Sequence, residues 1–378
     1  MICEFFGLDS EYQENALARA YRRAGHHVVI ATSTYESLHG FLGEVHAPGI
    51  KTESAYHGAR VLRLPYAFNV ANRLRPLRGF KKLLYELKPD LVYLHDIGPN
   101  IVSVRRFKKR FPDSRIILDY HADAANSARN WLSKNVLHGL IRRSLLRWTL
   151  PAIEAIFPIV PHGADFLAEV YGIKRNEMAV LPLGFDDVEF GDLSRQTDYS
   201  VFRVVSGGKI DELKRTKELV EALVKLADPR IELHLFGAAG PGSQDYYLST
   251  LKVAEGLGER FVEHGWLTPA QTAQLFKNSD LAVFPASQSI LWQTAIGCGL
   301  PLIVGNSGIQ SVRYLNLHNN IVELQAKEIS ADRIALEIAN LVNRAEVLQS
   351  MKDGAQKVAA EYLNIDSIAL RTLSERTR

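Results

Sequence analysis

The chain has 378 residues, 47% of them hydrophobic and 23% charged, which fits two globular domains of ordinary composition. Collagen-like and disordered classes are excluded, and two cysteines are too few for a disulfide scaffold. The formal charge of +3 hides an asymmetry: residues 60–150 carry 19 Lys+Arg against 6 Asp+Glu, whereas residues 191–378 carry 20 against 22.

Residues 1–6 are strand-like, 12–24 place Ala16, Leu17 and Ala20 on one helical face, and 27–31 are strand-like again after Gly25. The first residues, MICEFFGLDSEYQE, hold acids where a leader needs positive charge, and no run reaches the roughly 18 apolar residues of a membrane helix. This predicts a cytoplasmic protein, at most peripheral to a membrane. Cys3 and Cys298 lack metal-type spacing and read as buried core thiols.

The alternation continues with strands at 91–94, 116–118, 156–160 and 180–183, and helices at 102–111 and 164–171. Residues 184–200 are polar, aperiodic and rich in turn formers, as a domain boundary would be. Beyond it, strands are expected at 202–205, 231–236, 260–262, 281–284 and 301–304. Helices are expected at 216–226, 246–255, 269–277 and 290–297, and the chain is helical from 330 onward. Strands alternating with helices imply parallel βαβ units, so the fold class is α/β with two doubly wound domains. Ligands of such folds bind at the carboxyl ends of the strands.

That rule singles out particular loops. After 205 the chain reads SGGKIDELKR, where Gly207 and Gly208 precede Lys209 and Lys214 and a helix start. This combination suits a diphosphate or, more plainly, a solvated helix start. FGAAGPG (236–242) is spaced G-x-x-G-x-G and is a weak dinucleotide signal. In GCGLPLIVGNSG (297–308), the run Gly305, Asn306, Ser307 and Gly308 could form an anion-binding nest. His95 and His121 sit at strand ends, and Glu14 points toward the same rim. No Asp-x-Asp pair, P-loop, G-x-S-x-G or H-E-x-x-H occurs, so no metal and no separate cofactor are expected.

Taken together, these segments resemble the retaining glycosyltransferases of family 4, which have the GT-B fold. The resemblance rests on YQENALARAYRRAGHHV (12–28), KPDLVYLH (88–95), DYHAD (119–123), VLPLGFDDVEF (180–190), GGKIDELKR (207–215) and AIGCGLPLIV (295–304), and spans nearly the whole length. It implies two Rossmann-like domains facing a cleft: 1–185 for the acceptor, 186–200 as linker and 201–360 for the donor. Residues 361–378 would form a helix returning to the first domain.

The implied reaction moves a sugar from a nucleotide-diphosphate donor to an acceptor hydroxyl with retention. His121 would hold the sugar and its phosphate, and Lys209 and Lys214 the diphosphate, Lys209 standing where the family has Arg. The sequence departs from the family at its two glutamates, because no Asp or Glu occurs from 281 to 322. The ribose contact then falls to Thr294 or Gln293, and the sugar contact to Gln288, Ser289 or backbone amides. The missing pair keeps a second reading open, a non-catalytic GT-B subunit that recruits a partner.

The basic region mixes Arg73, Arg75, Arg78, Lys81 and Lys82 with leucines, and Arg142, Arg143 and Arg147 with Leu145, Leu146 and Trp148. This pattern suits either solvated helix faces or an anionic membrane surface. The second alternative predicts a lipid-linked or glycan acceptor at the inner membrane face, in cell-surface polysaccharide or glycoconjugate synthesis. No nucleic-acid recognition motif is present.

Overall fold

A computed structural model describes residues 1–43, 53–122, 127–128, 130–191, 193, 201–286, 289–307 and 311–378. The chain divides into two units, Met1–Leu183 with Ile365–Arg378, and Gly184–Asn364.

The first unit is built on β1 (Val29–Ser33), β2 (Glu53–Tyr56), β3 (Ala59–Leu64), β4 (Leu91–His95), β5 (Arg115–Tyr120) and β6 (Ala155–Pro158). They form two ladders, ordered β1-β3-β2 and β4-β5-β6, in which only β2 runs antiparallel. The N-terminal residues join them: Ile2 bridges Ala31 on one side and Leu94 on the other. The expected strand at 1–6 is therefore a single seam. The expected strand at 180–183 is absent. Ala179 and Leu181 donate to Ile156 and Pro158 carbonyls, but Pro182 has no N–H to continue the ladder. The apolar run of β5 is buried on both faces, with helices packed over it.

The second unit holds β7 (Phe202–Ile210), β8 (Ile231–Ala239), β9 (Phe261–Glu263), β10 (Leu281–Phe284), β11 (Leu302–Asn306) and β12 (Ile321–Gln325). All pair in parallel, in the order β12-β11-β10-β7-β8-β9. The doubly wound α/β class expected from the alternation is thus present in both units. Local chemistry explains the sharper boundaries. Before the helix Pro269–Lys277, Thr268 Oγ1 accepts from Gln271 N (3.3 Å) while Thr268 N donates to Gln271 Oε1 (2.9 Å). Proline at the first helical position completes the start signal.

Two boundaries differ from expectation. Residues 184–191 and 193 belong to the second unit rather than to a linker, since Asp186 Oδ1 caps the helix Asp187–Phe190 and Phe185 and Phe190 pack with Ala273. The rest of 186–200 lies outside the described residues. The return to the first unit begins at Ile365, where the helix Ile365–Ser374 buries Ile365, Ile368 and Ala369 in that unit's core. Cys3 is buried, but Cys298 is only half-buried, its Sγ 3.7 Å from the Ala273 carbonyl. Among the described residues no helix is long and apolar enough to cross a membrane.

Candidate active site

In the first unit, β4 and β5 end side by side and pair His95 directly with Asp119. Side chains two apart on a strand share a face. Tyr93 and His95 on β4, and Asp119 followed by His121 from β5, therefore converge. Asp119 is 0% exposed. Its Oδ2 lies 3.0 Å from His121 Nε2 and accepts from the Tyr93 hydroxyl at 3.1 Å. His95 Nδ1 approaches the same oxygen to 2.8 Å, near enough for charge attraction but not aligned as a hydrogen bond. The Asp96 amide donates to Asp119 Oδ1 at 3.4 Å.

Burial alone would raise the pKa of Asp119, yet the attraction of His95 and His121 holds it well below the carboxylate range. Burial likewise opposes a charge on His121, but Asp119 wins and lifts its pKa to about 9. The side chain is 31% exposed, so burial penalises its charged form only in part. Glu14, from the first turn of the helix Gln13–Arg23, and Asp96 add to the attraction. His95, Asp119 and His121 each offer a ligand-type atom within 4.8 Å of the others. One Asp119 oxygen lies between the two imidazoles, so the charges of the three groups are coupled.

In the second unit, β7 and β8 pair further than expected. Gly207, Gly208 and Lys209 face Phe236, Gly237 and Ala238 in the ladder, so these three glycines are strand residues, whereas Gly240 and Gly242 lie in the turn beyond β8. The glycines answer to packing. A Cβ on Gly207 would lie 2.4 Å from the Phe236 ring, and one on Gly237, at φ +113, would lie 1.9 Å from the Gly208 oxygen. Lys209 is exposed at the carboxyl end of β7. Lys214 follows in a turn whose amide donates to Asp211 Oδ1 at 3.0 Å, just before the helix Thr216–Leu226. Burial depresses the pKa of Lys214; Asp211 pulls it back up, and the charge of Lys209 adds a smaller downward push.

The helix Leu291–Gly297 opens with Ser289 Oγ accepting from the Leu291 amide at 3.3 Å. Thr294 is half-buried, and its hydroxyl donates to the Ile290 carbonyl at 3.4 Å. Gly305 and Asn306 lie within β11, Asn306 Nδ2 donates to Glu323 Oε1 at 2.8 Å, and Ser307 is exposed just beyond.

Residues 13–184 match the family model described as "Glycosyl transferase 4-like domain", and residues 196–358 match "Glycosyl transferases group 1". The chain belongs to the glycosyltransferases of GT-B fold. Three solved structures share this fold across nearly the whole chain. The sucrose-phosphate synthase of Thermosynechococcus elongatus is 16% identical (TM-score 0.68), covering 98% of this chain and 96% of its own. Anabaena HepE in complex with UDP is also 16% identical (TM-score 0.67; 98% and 97%). WaaG, a glycosyltransferase involved in lipopolysaccharide biosynthesis, is 15% identical (TM-score 0.56; 99% and 98%). No curated protein sequence matches the chain.

The structure of this glycosyltransferase redistributes the expected site residues. Glu14, His95 and His121 come together in the first unit, and Lys209 and Lys214 in the second. Gln293 drops out as a ribose contact: it is 2% exposed and donates to the Tyr314 hydroxyl at 2.8 Å. Of the two alternatives, Thr294 remains. Gly305 is not part of a nest, because it is a strand residue whose Cβ would meet the Pro285 oxygen at 1.6 Å. Gln288 and Gly308 lie outside the described residues. Sequence reasoning passed over Asp119 and Tyr93. The available signal was spacing, an Asp two residues before a strand-end His on a strand otherwise apolar.

Proposed function

We propose that this glycosyltransferase transfers a sugar from a nucleotide-diphosphate donor to an acceptor hydroxyl, with retention and without a metal ion. The observation that carries the reading is the pair Lys209 and Lys214, held near enough for one charge to depress the other at the start of a helix. An anion placed between them relieves that repulsion. As the sugar–phosphate bond breaks, the diphosphate gains charge, and two fixed ammonium groups stabilise it more than they stabilise the intact donor. His121, held charged, is assigned to the sugar and its phosphate, as the family resemblance implies. In the retaining scheme the leaving phosphate oxygen takes the acceptor proton. The likeness to HepE solved with UDP supports a nucleotide donor. Thr294 is assigned to the ribose and Ser289 to the sugar.

The acceptor is proposed to be lipid-linked or a growing glycan at the inner membrane face, in cell-surface polysaccharide or glycoconjugate synthesis. Trp131 (72% exposed), Leu132, Leu140 and Trp148 stand exposed along a segment that also carries Arg142, Arg143 and Arg147. Exposed aromatics among arginines suit an anionic bilayer surface. The likeness to WaaG is consistent with such an acceptor.

The acid-free span from 281 to 322 favours one rival, a non-catalytic subunit that recruits an active partner. Calorimetry with UDP, GDP and ADP separates the two. Binding of one nucleotide below millimolar, followed by turnover of its sugar conjugates, supports transfer. No binding of any nucleotide at millimolar concentration favours the rival.

A further inference from the structure

Four groups from two strands crowd one buried carboxylate. Asp119 accepts from the Tyr93 hydroxyl and the Asp96 amide, pairs with His121 Nε2 and lies against His95 Nδ1. His95 is itself clamped, its ring stacked on Tyr93 with centroids 4.7 Å apart and planes 28° apart. The two imidazoles are 5.8 Å apart, so a single anion serves both. Leaving a fully buried carboxylate ionised is costly unless charge and hydrogen bonds compensate it. This site spends an anion and two imidazoles at a strand end where strand packing needs neither.

We propose that Asp119 is a positioning residue for the transfer reaction, fixing the ring of His121 through Nε2 and keeping that ring a hydrogen-bond donor. A carboxylate behind an imidazole sets the tautomer of the ring and stabilises its charged form. The consequence is a division of labour. His121 is not a base that takes the acceptor proton, because a ring kept protonated has no lone pair to offer. It is a fixed positive charge, and the proton from the acceptor leaves by another route, the phosphate oxygen of the retaining scheme. The groups that bear on His121 are Asp119 on its own strand, His95 and Asp96 at the end of β4, and Glu14 from the first helix. All three carboxylates favour the charged ring. The inference rests on the transferase reading for the reaction, but not for the ring's state.

The test compares the wild type with Asp119→Asn, which keeps the shape and removes the charge. Nitrogen-15 NMR of the full chain follows the titration of His121, and steady-state kinetics follow turnover against pH. In the wild type His121 titrates near 9 and turnover declines only above that pH. In Asp119→Asn the titration moves below about 7 and the alkaline limb of turnover moves with it. Turnover at pH 8 falls roughly 30-fold with the donor KM changed less than about threefold. If Asp119→Asn does not fold, the wild-type spectrum decides by itself: a His121 titrating near its ordinary value overturns the proposal. An unmoved alkaline limb in folded Asp119→Asn also overturns it. A wild type that turns over no nucleotide sugar overturns the transferase reading separately, and the His121 titration is read regardless.

Discussion

The two units meet similar chemical demands in opposite ways. The first gathers side chains, two imidazoles and a phenol, around one buried carboxylate that attracts both rings. The second sets two lysines near enough to repel at the end of a strand, with Asp211 drawing one of them back. The first unit concentrates opposite charges, and the second, in the proposed reading, takes an anion between like ones. It follows that damage in the first unit should appear in pH dependence and rate, and damage in the second in ligand affinity and salt dependence.

The largest effect should come from breaking the first unit's charge network at its exposed end. His121→Ala is expected to lower kcat about 100-fold, with nucleotide affinity from calorimetry nearly unchanged. A matching loss of affinity would show that the two sites do not divide the work this way. Lys214→Ala should reduce turnover by more than about tenfold and flatten the salt dependence of donor binding. Unchanged kinetics would remove the diphosphate assignment. Gly305→Ala tests the second unit's frame rather than its charge. A methyl 1.6 Å from the Pro285 oxygen forces β10 and β11 apart, and thermal unfolding should fall by roughly 5–10 °C.

The pH dependence of stability separates the units further. The folded pKa of Asp119 is depressed, so its contribution is present above the ordinary carboxylate range and is lost as the solution is acidified through the folded value. The folded pKa of His121 is raised to about 9, so its contribution is complete below the ordinary histidine value near 6.5 and is lost as pH rises toward 9. Denaturant midpoints should therefore decline between pH 6.5 and 9, and Asp119→Asn should abolish that decline. The smallest effect is expected from Thr294→Val, a rise of about threefold in donor KM with kcat retained.

Much of this architecture was legible because strong local rules pointed the same way as the packing. The helices Thr216–Leu226 and Pro269–Lys277 and the strand Leu281–Phe284 begin and end where their apolar period and flanking residues indicate. The glycine-rich segments were misread for a physical reason. Gly207 and Gly237 look like loop residues in a one-dimensional string, yet they are the residues that let β7 and β8 approach closely. Gly305 repeats the lesson against Pro285. Strand ends could be located and their histidines flagged. What could not be read was the register between β4 and β5, which alone makes Asp119 the centre of the cluster. Gln293 and Thr294 were indistinguishable by position, and the helix turned one inward to Tyr314.

The return of Ile365–Arg378 to the first unit carries a consequence for how the chain is made. Arg23 pairs with Asp366 at 2.8 Å, Arg371 reaches the Val180 carbonyl at 3.2 Å, and the Ile156 amide donates to Thr377 Oγ1 at 3.0 Å. On the ribosome these partners emerge only after the whole of Gly184–Asn364 has been synthesised. The unit that is translated first therefore cannot complete its core until the last residues are made. Until then, the apolar surface that Ile365, Ile368 and Ala369 cover is left bare, while every residue of the second unit has already been made.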